Sequence, residues 1–305
     1  MIGSRGIAVA AALLAALATA GCGLGPGPEV GSVELTATRE YGRVPVLHRD
    51  LRARESDTVM RLLEGSADVG TSYGGGFVKS IDGVAEGQRG GRPYDWFYYV
   101  DGVEAPVGAA EYQLEGGERV WWDYHDWSET NHVPAVVGSW PAPFVGGYGG
   151  RERPVLLECE GGGAACGTAK TALEGEGVAL ASGEPGGAIR MLVGPWDRLR
   201  SDPAARLIGR GPRQSGVFAE LAWRSGRYHL LALDQDGREA ADLGPRAGLV
   251  AATSSFGGPP VWVLTGGTPA AVRAAAGALA AGKLRDHFAV AVEGEEVRAL
   301  PAPAR

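Results

Sequence analysis

Histidine is the residue type in this chain best suited to acid–base or metal-binding chemistry, and one histidine lies among aromatic residues. The five histidines are spread along the sequence, at His48, His125, His132, His229 and His287. His125 lies directly before Asp126, and a histidine beside a carboxylate could serve as a base or as an axial metal ligand. Neighbouring residues of a strand point to opposite faces, however, so His125 and Asp126 would not pair directly. We favour a histidine that forms an ordinary hydrogen bond or lies at the surface.

Sequence motifs of the common enzyme classes are absent. The chain has no zincin helix, no Walker loop and no dinucleotide-binding fingerprint, and no helix is predicted after Gly70-Thr71-Ser72-Tyr73-Gly74, as a Gly-x-Ser-x-Gly elbow would require. Its formal net charge is -7, and no Lys/Arg cluster follows a predicted helix or strand. We therefore predict a protein that is not an enzyme, with no catalytic residues, no metal site and no nucleic-acid partner.

The first 22 residues have the features of an export signal. Arg5 precedes an apolar run that is too short to span a bilayer comfortably, and an Ala-Gly-Cys sequence follows, ending at Cys22. Segment 1–22 resembles a bacterial lipoprotein signal and lipobox. The resemblance implies that the chain is cut before Cys22, that the Cys22 thiol is diacylated, and that the protein is held at the extracytoplasmic face of the cell membrane. Residues 23–32 are rich in Gly and Pro, and we expect them to form a flexible tether. An ordinary secretory signal with a chance cysteine is the alternative.

Two further cysteines, Cys159 and Cys166, lie in the sequence ECEGGGAACG. An exported protein folds in a compartment that permits disulfides, and the glycine-rich spacer can bend enough to bring the two thiols together. A metal site would need further ligands, and the nearest histidines, His132 and His229, are far away in sequence. We therefore predict a local disulfide.

Aromatic residues are concentrated in two short runs, DWFYYV at 95–100 and RVWWDY at 119–124. Both runs are typical of strands, because aromatic and β-branched side chains favour extended structure. Asp101-Gly102 follows the first run and is the dipeptide most favourable for a tight hairpin turn. The pattern predicts two neighbouring strands with large aromatic side chains.

Strand alternation divides the second run between two faces. Val120, Trp122 and Tyr124 share one face, whereas Trp121, Asp123 and His125 share the other. A sheet with one covered face normally carries polar residues on its second face. Because both faces are aromatic here, either both are covered or one is a surface for a ligand, and the sequence leaves both alternatives open.

The segments before the aromatic runs predict strand, strand, helix and strand, in that order. The helix is expected to be capped by Ser56 or Asp57 and to end at Gly65. Its apolar side chains recur on one face, as expected for a helix that packs against a sheet. This order of elements, followed by two aromatic strands, is a β-grasp pattern.

The motifs SDTVMRLLEG, GGGFVKSIDGV and DWFYYVDGVEAPVGAAEYQLEGGERVWWDY occur in this order. Over residues 33–127 they resemble the transcobalamin C-terminal-like domain, a member of the soluble-ligand-binding β-grasp group. The resemblance implies that cobalamin or a related corrinoid is bound and passed to a vitamin uptake transporter. Transcobalamin-type proteins also have an all-helical domain that supplies the cobalt ligand, and this sequence predicts no such domain.

The remaining sequence predicts a connector and a second domain. Residues 128–153 are rich in Gly and Pro, and we expect an extended connector that packs on one domain. Residues 154–300 alternate strand and helix signals, with a single helix predicted from Trp196 to Ile208, and this alternation is typical of an α/β domain, here of unknown function. The predicted fold class is α+β, with an N-terminal β-grasp-like domain followed by a mixed α/β sandwich domain.

These observations favour a binding protein that holds a small organic ligand or cofactor, a cobalamin-like compound by the resemblance, on the aromatic β-grasp surface. The predicted ligand-binding residues are Tyr73, Phe97, Tyr99, Trp121, His125 and Trp127. Because Val120, Trp122 and Tyr124 form the more apolar set, we assign them to the core and expect Trp121 to face the ligand. Trp121→Ala should then leave stability nearly unchanged, whereas Trp122→Ala should lower it. The alternative is a non-catalytic module of the cell envelope that binds protein or polysaccharide.

Overall fold

The structure is a computed structural model that describes residues 27–161, 163–183, 185–255, 258–280 and 282–304. The described chain mixes short helices with several sheets, as the predicted α+β class requires. The predicted signal segment, including Cys22, lies outside the described residues.

The N-terminal unit is a sheet with one helix. Its elements are β1 (Glu29–Arg39), β2 (Val44–Arg54), α1 (Val59–Glu64), β3 (Val69–Ser72), a 3-10 turn (Tyr73–Gly75), β4 (Phe77–Ile81), β5 (Val84–Ala85), β6 (Gly87–Arg89), β7 (Arg92–Val100), β8 (Val103–Glu104) and β9 (Arg119–Asp126). The main sheet has the strand order β2-β1-β9-β7-β6, and β8 pairs with β7. Strand β1 is parallel to β9, whereas β7 is antiparallel to β9. Strand β1 begins at Glu29, so the last residues of the predicted tether, 23–32, belong to the sheet.

Helix α1 covers one face of this sheet. Its N-cap is Thr58, one residue beyond the predicted caps, and the Thr58 hydroxyl accepts a hydrogen bond from the Arg61 amide at 3.3 Å. The helix buries its apolar side chains against Val120, Trp122 and Tyr124 of β9. The predicted core face of β9 is therefore confirmed.

The Gly/Pro-rich segment 128–153 packs against both units rather than one. It contains α2 (Ala142–Val145). The Val136 amide donates to the Gly102 carbonyl at 2.8 Å, and the Val137 amide donates to the Phe288 carbonyl at 3.1 Å. These bonds join the segment to the β7–β8 turn on one side and to the second unit on the other.

The second unit is built around a six-stranded sheet. Its elements are β10 (Val155–Cys159), α3 (Ala164–Gly175), β11 (Ile189–Val193), α4 (Trp196–Leu199), α5 (Pro203–Ile208), α6 (Pro212–Ser215), β12 (Ala219–Arg224), β13 (Arg227–Leu233), β14 (Glu239–Gly244), β15 (Gly248–Thr253), β16 (Val261–Gly266), α7 (Pro269–Gly277), β17 (Ala289–Glu293) and β18 (Glu296–Leu300). The sheet order is β10-β11-β16-β15-β17-β18. Helices α3 and α7 cover one face, while α4, α5 and the smaller sheet β12-β13-β14 cover the other.

Two local predictions in this unit have clear outcomes. Cys159 and Cys166 form the predicted disulfide, which joins the end of β10 to α3 with the two Cα atoms 5.9 Å apart. The sequence also favoured a single helix over 196–208, but the structure has α4 and α5 instead. The helix is interrupted because Asp202 caps a new helix that begins at Pro203.

Candidate functional site

The second aromatic strand, β9, lies in the interior of the molecule. All 8 of its residues are buried. Helix α1 covers one face, and residues of the second unit cover the other. The structure therefore supports the alternative in which both aromatic faces are covered.

Trp121 occupies the centre of the contact between the two units. Its side chain is fully buried and lies against Phe288, with ring centroids 5.2 Å apart. Tyr99 of β7 is also fully buried and packs on both rings, 5.9 Å from Trp121 and 5.5 Å from Phe288. The Trp121 indole N–H donates to the Thr38 hydroxyl at 2.8 Å. These contacts are those of a core residue.

Asp123 organises the polar groups on the same face. Its carboxylate is fully buried and accepts hydrogen bonds from the Thr38 hydroxyl at 2.5 Å and from the amides of Tyr41 and Gly42 at 2.9 and 2.8 Å. The Nδ1 atom of His125 lies 2.8 Å from Asp123 Oδ1. His125 thus pairs with the carboxylate two positions earlier, on its own strand face, and forms a hydrogen bond as we favoured.

The predicted ligand residues do not form one exposed surface. Tyr99, Trp121 and His125 are buried, and Phe97 is half-buried with its ring stacked on His125 at 4.6 Å. Tyr73 is 92% exposed and Trp127 is 36% exposed. The expected exposure of Trp121 is therefore wrong, because Phe288 of the second unit covers the face on which it lies.

Ion pairs reinforce the contact between the units. The guanidinium of Arg119, on β9, pairs with Glu34 at 2.9 Å and contacts Asp286 and the Gly138 carbonyl. Arg285 pairs with Glu34 at 2.6 Å. Burial alone would raise the pKa of Glu34, but Arg119 and Arg285 together hold that pKa below its ordinary value.

A first cleft, of about 590 Å³, opens where these elements meet, and we call it the acidic cleft. Six carboxylates line it: Glu34, Asp50, Asp101, Glu115, Glu118 and Glu176. Ser139, Trp140 and Tyr148 of the connector also contribute to its wall. The cleft therefore presents negative charge beside two aromatic rings.

Two carboxylates of the acidic cleft are almost fully buried. Asp101 is 6% exposed, and its Oδ1 atom accepts a hydrogen bond from the Arg119 amide at 2.8 Å. Burial raises the pKa of Asp101 to about 7. Glu118 is 7% exposed and accepts hydrogen bonds from the Tyr112 hydroxyl and the Glu115 amide. Burial raises the pKa of Glu118 as well.

A second cleft, of about 540 Å³, lies between the β7–β8 hairpin, the connector and the second unit, and we call it the Tyr112 cleft. Its apolar wall consists of Val100, Val103, Ala105, Pro106 and Pro134. Its charged groups are Arg153 and the ion pair of His132 with Glu104, and the hydroxyl-bearing residues that line it are Tyr112, Tyr148, Ser254 and Ser255. The hydrogen bond that protonated His132 donates to Glu104 raises the pKa of His132, against the opposing effect of burial.

Arg153 is the group of the Tyr112 cleft that is best placed to hold a ligand. Its guanidinium lies over the ring of Tyr148, 4.6 Å from the centroid. Its Nε atom is buried, and no acceptor for it is present within the described ranges. A buried donor without an acceptor is destabilising by about 1–3 kcal/mol, so a ligand that supplies an acceptor would recover this free energy.

Residues 56–126 match the model of a family described as "Domain of unknown function (DUF4430)". This segment runs from just before α1 to the end of β9, so it includes the helix and both aromatic strands. A search of solved structures finds similarity to a crystal structure from Ruminococcus gnavus ATCC 29149 described as "a putative metal binding protein". The identity is 11%, the match covers 32% of this chain and 97% of that chain, and the TM-score is 0.25. No curated protein matches this chain.

In the part of the chain that the structure describes, no group of three or more His, Cys, Asp or Glu residues is arranged to hold a metal ion. No helix within the same residues is both long enough and apolar enough to cross a membrane.

Sequence reasoning did not identify the residues of either cleft. Arg153, Trp140 and Tyr148 belong to a segment that composition marks as a connector. The sequence feature that could have indicated a binding site here is the presence of large aromatic side chains in a segment otherwise rich in Gly and Pro. Asp101 was assigned to a turn, which it does form, but its burial depends on the packing of the connector above it.

Proposed function

We propose that this protein is a lipid-anchored, extracytoplasmic binding protein that captures a small organic ligand without catalysis. The Tyr112 cleft is the site that supports this proposal best. It lies between the two units, its volume of about 540 Å³ falls in the range of small-molecule sites, and its walls are largely apolar with a few polar groups. The unpartnered Nε atom of Arg153 is the observation that carries the proposal.

The chemistry of the cleft suggests how a ligand would be held. Apolar or ring-containing parts would lie against the valine and proline side chains. An anionic group would bind the Arg153 guanidinium, which the ring of Tyr148 already holds in position. A cleft of this volume would hold either a drug-sized compound or one portion of a larger corrinoid.

The sequence resemblance to the transcobalamin C-terminal-like domain supports a corrinoid as the first ligand to test. In this proposal Cys22 carries the acyl chains that keep the protein at the outer face of the cell membrane. A vitamin uptake transporter in the same membrane would then receive the ligand. The binding surface is the Tyr112 cleft instead of the aromatic face of β9, because Trp121 and Tyr99 are fully buried.

Calorimetry on the full-length protein in detergent tests this proposal. The probes are cobalamin, which carries a phosphodiester, and cobinamide, which does not. We expect cobalamin to bind and Arg153→Met to weaken its binding by about ten-fold or more, because the charge-assisted bond is lost. Arg198→Met is the matched control, since the Arg198 side chain is 70% exposed on α4 and does not line the cleft. If neither cobalamin nor cobinamide binds to wild type, corrinoids are excluded as ligands. If wild type and Arg153→Met bind cobalamin with equal affinity, the Tyr112 cleft is excluded as the site.

Exposed aromatic residues favour a second candidate function, an envelope module that binds polysaccharide or protein. Tyr73 is 92% exposed and meets the ring of Phe77, which is 36% exposed, with centroids 6.4 Å apart. A glycan array probed with wild type and with the Tyr73→Ala, Phe77→Ala double variant would test it. Glycan binding that requires this pair would support the second candidate, and a blank array would leave no support for polysaccharide recognition.

A further inference from the structure

The acidic cleft contains more negative charge than the surrounding residues neutralise. Glu34 is the exception, because Arg119 and Arg285 pair with it. The other carboxylates that line the cleft form no ion pair with a Lys, Arg or His of the described chain: Asp50, Asp101, Glu115, Glu118 and Glu176. A recess lined by charges of one sign concentrates the electrostatic potential and attracts counter-ions.

The two arginines at the cleft are already neutralised by other carboxylates. Arg119 is 7% exposed and contacts both Glu34 and Asp286. Arg285 shares Glu34 and lies 4.0 Å from Asp286. The excess of carboxylates therefore remains available to a positively charged ligand.

Ser139 provides an independent indication of a ligand. Its side chain lines the cleft and is 1% exposed, yet the Ser139 hydroxyl has no hydrogen-bond partner in the described residues. It packs beside the Asp101-Gly102 turn, since a Cβ atom added at Gly102 would lie 3.5 Å from Ser139 Oγ. Asp101 and Ser139 both line the cleft, and a hydroxyl there can accept a hydrogen bond from an N–H group that a carboxylate attracts.

The aromatic rings beside the carboxylates indicate the class of cation. No group of three or more His, Cys, Asp or Glu residues is arranged to hold a metal ion in the described ranges. The rings of Trp140 and Tyr148 form part of its wall, and aromatic rings attract organic cations. Several carboxylates beside aromatic rings match a flexible chain that carries several ammonium groups.

We propose that the acidic cleft binds a linear organic polyamine, with Asp101 and the Ser139 hydroxyl holding one terminal ammonium group. The other carboxylates bind the remaining ammonium groups along the cleft. This site is separate from the Tyr112 cleft, although Tyr148 contributes to the walls of both. The acidic cleft would bind a cation, whereas the Tyr112 cleft would bind an anionic group.

Calorimetry with spermidine on the full-length protein in detergent is the test. We expect spermidine to bind to wild type at about pH 8, where Asp101 is ionised, and Asp101→Asn to lower its affinity there by about ten-fold or more. Glu295→Gln is the matched control, because Glu295 is exposed and does not line the cleft. Butylamine, with one ammonium group, should bind much more weakly than spermidine.

A second variant keeps the test informative if Asp101→Asn alters folding. Glu115 and Glu176 are exposed, so the Glu115→Gln, Glu176→Gln double variant should fold normally and still bind spermidine more weakly. No heat with spermidine, or equal affinity in wild type and both cleft variants, would overturn the proposal. Displacement of spermidine by an equal concentration of MgCl₂ would also overturn it, because it would indicate a diffuse ion atmosphere. Arg153→Met should retain spermidine binding, which separates this proposal from that of the Tyr112 cleft.

Discussion

The ring of Trp121 meets the ring of Phe288 edge-on, with centroids 5.2 Å apart and ring planes at 77°. Trp121 belongs to β9 of the N-terminal unit, whereas Phe288 lies immediately before β17 of the second unit. Both side chains are almost completely excluded from solvent. The contact between the two units is therefore a shared hydrophobic core, and we expect the units to unfold together.

Trp121→Ala is expected to destabilise the protein as strongly as Trp122→Ala. Truncation of a buried tryptophan typically lowers the free energy of unfolding by about 3–5 kcal/mol, because contacts are lost and a cavity remains. Urea unfolding measures both variants, with Trp223→Ala as control, since Trp223 is 65% exposed. A Trp121→Ala protein as stable as wild type would show that the second unit does not cover this face in solution.

Asp101→Asn should stabilise the protein above neutral pH and have little effect in acid. The pKa of Asp101 is about 7 in the folded protein, against an ordinary value of 3.8, so the folded state binds a proton more tightly than the unfolded state. The contribution of Asp101 to the free energy of unfolding is therefore fully present below about pH 4. As the pH rises through about 7 this contribution is lost, and the free energy of unfolding falls by up to about 4 kcal/mol. Asparagine can still accept the hydrogen bond from the Arg119 amide.

Urea unfolding of wild type and Asp101→Asn at about pH 4 and about pH 8 measures this effect. The difference between the two proteins should be small at the lower pH and should favour the variant at the higher pH. Asp197→Asn serves as control, because the Asp197 side chain is 59% exposed. A variant that is less stable than wild type at about pH 8 would contradict the raised pKa of Asp101.

The Cys159–Cys166 disulfide should contribute about 2 kcal/mol to stability, because it closes a short loop in the unfolded chain. Mass spectrometry of non-reduced peptides should find the two cysteines joined, with the mass lowered by two hydrogens. A reducing agent should lower the free energy of unfolding of wild type but not of the Cys159→Ser, Cys166→Ser variant. Free thiols in protein isolated from an oxidising compartment would contradict the bond.

Cys22→Ser should release the protein from the membrane. Acyl chains on Cys22 would supply the membrane affinity, at about 0.8 kcal/mol for each buried CH₂ group. In a detergent phase-partitioning experiment, wild type should therefore be found in the detergent phase and Cys22→Ser in the aqueous phase. Cys159→Ser, which alters a cysteine that is not in the signal segment, is the control. Detergent-phase retention of Cys22→Ser would exclude this residue as the anchor.

Local sequence was sufficient for several features of the fold. Alternation along β9 assigned Val120, Trp122 and Tyr124 to one face, and that face is the one that α1 covers. A glycine-rich spacer brought Cys159 and Cys166 together as predicted. These features depend on backbone periodicity and on short-range chain geometry, which a sequence displays directly.

Only the tertiary structure decided what covers the second aromatic face. Alternation shows which side chains share a face with Trp121, but it contains no information about a distant segment that packs on that face. Phe288 reaches Trp121 because the segment 128–153 folds back between the two units and forms hydrogen bonds with both. The same packing encloses Asp101 and Arg153 in two clefts of opposite character. Burial, and with it the raised pKa of Asp101, arises from residues brought together by the fold, so the sequence around Asp101 shows only a turn.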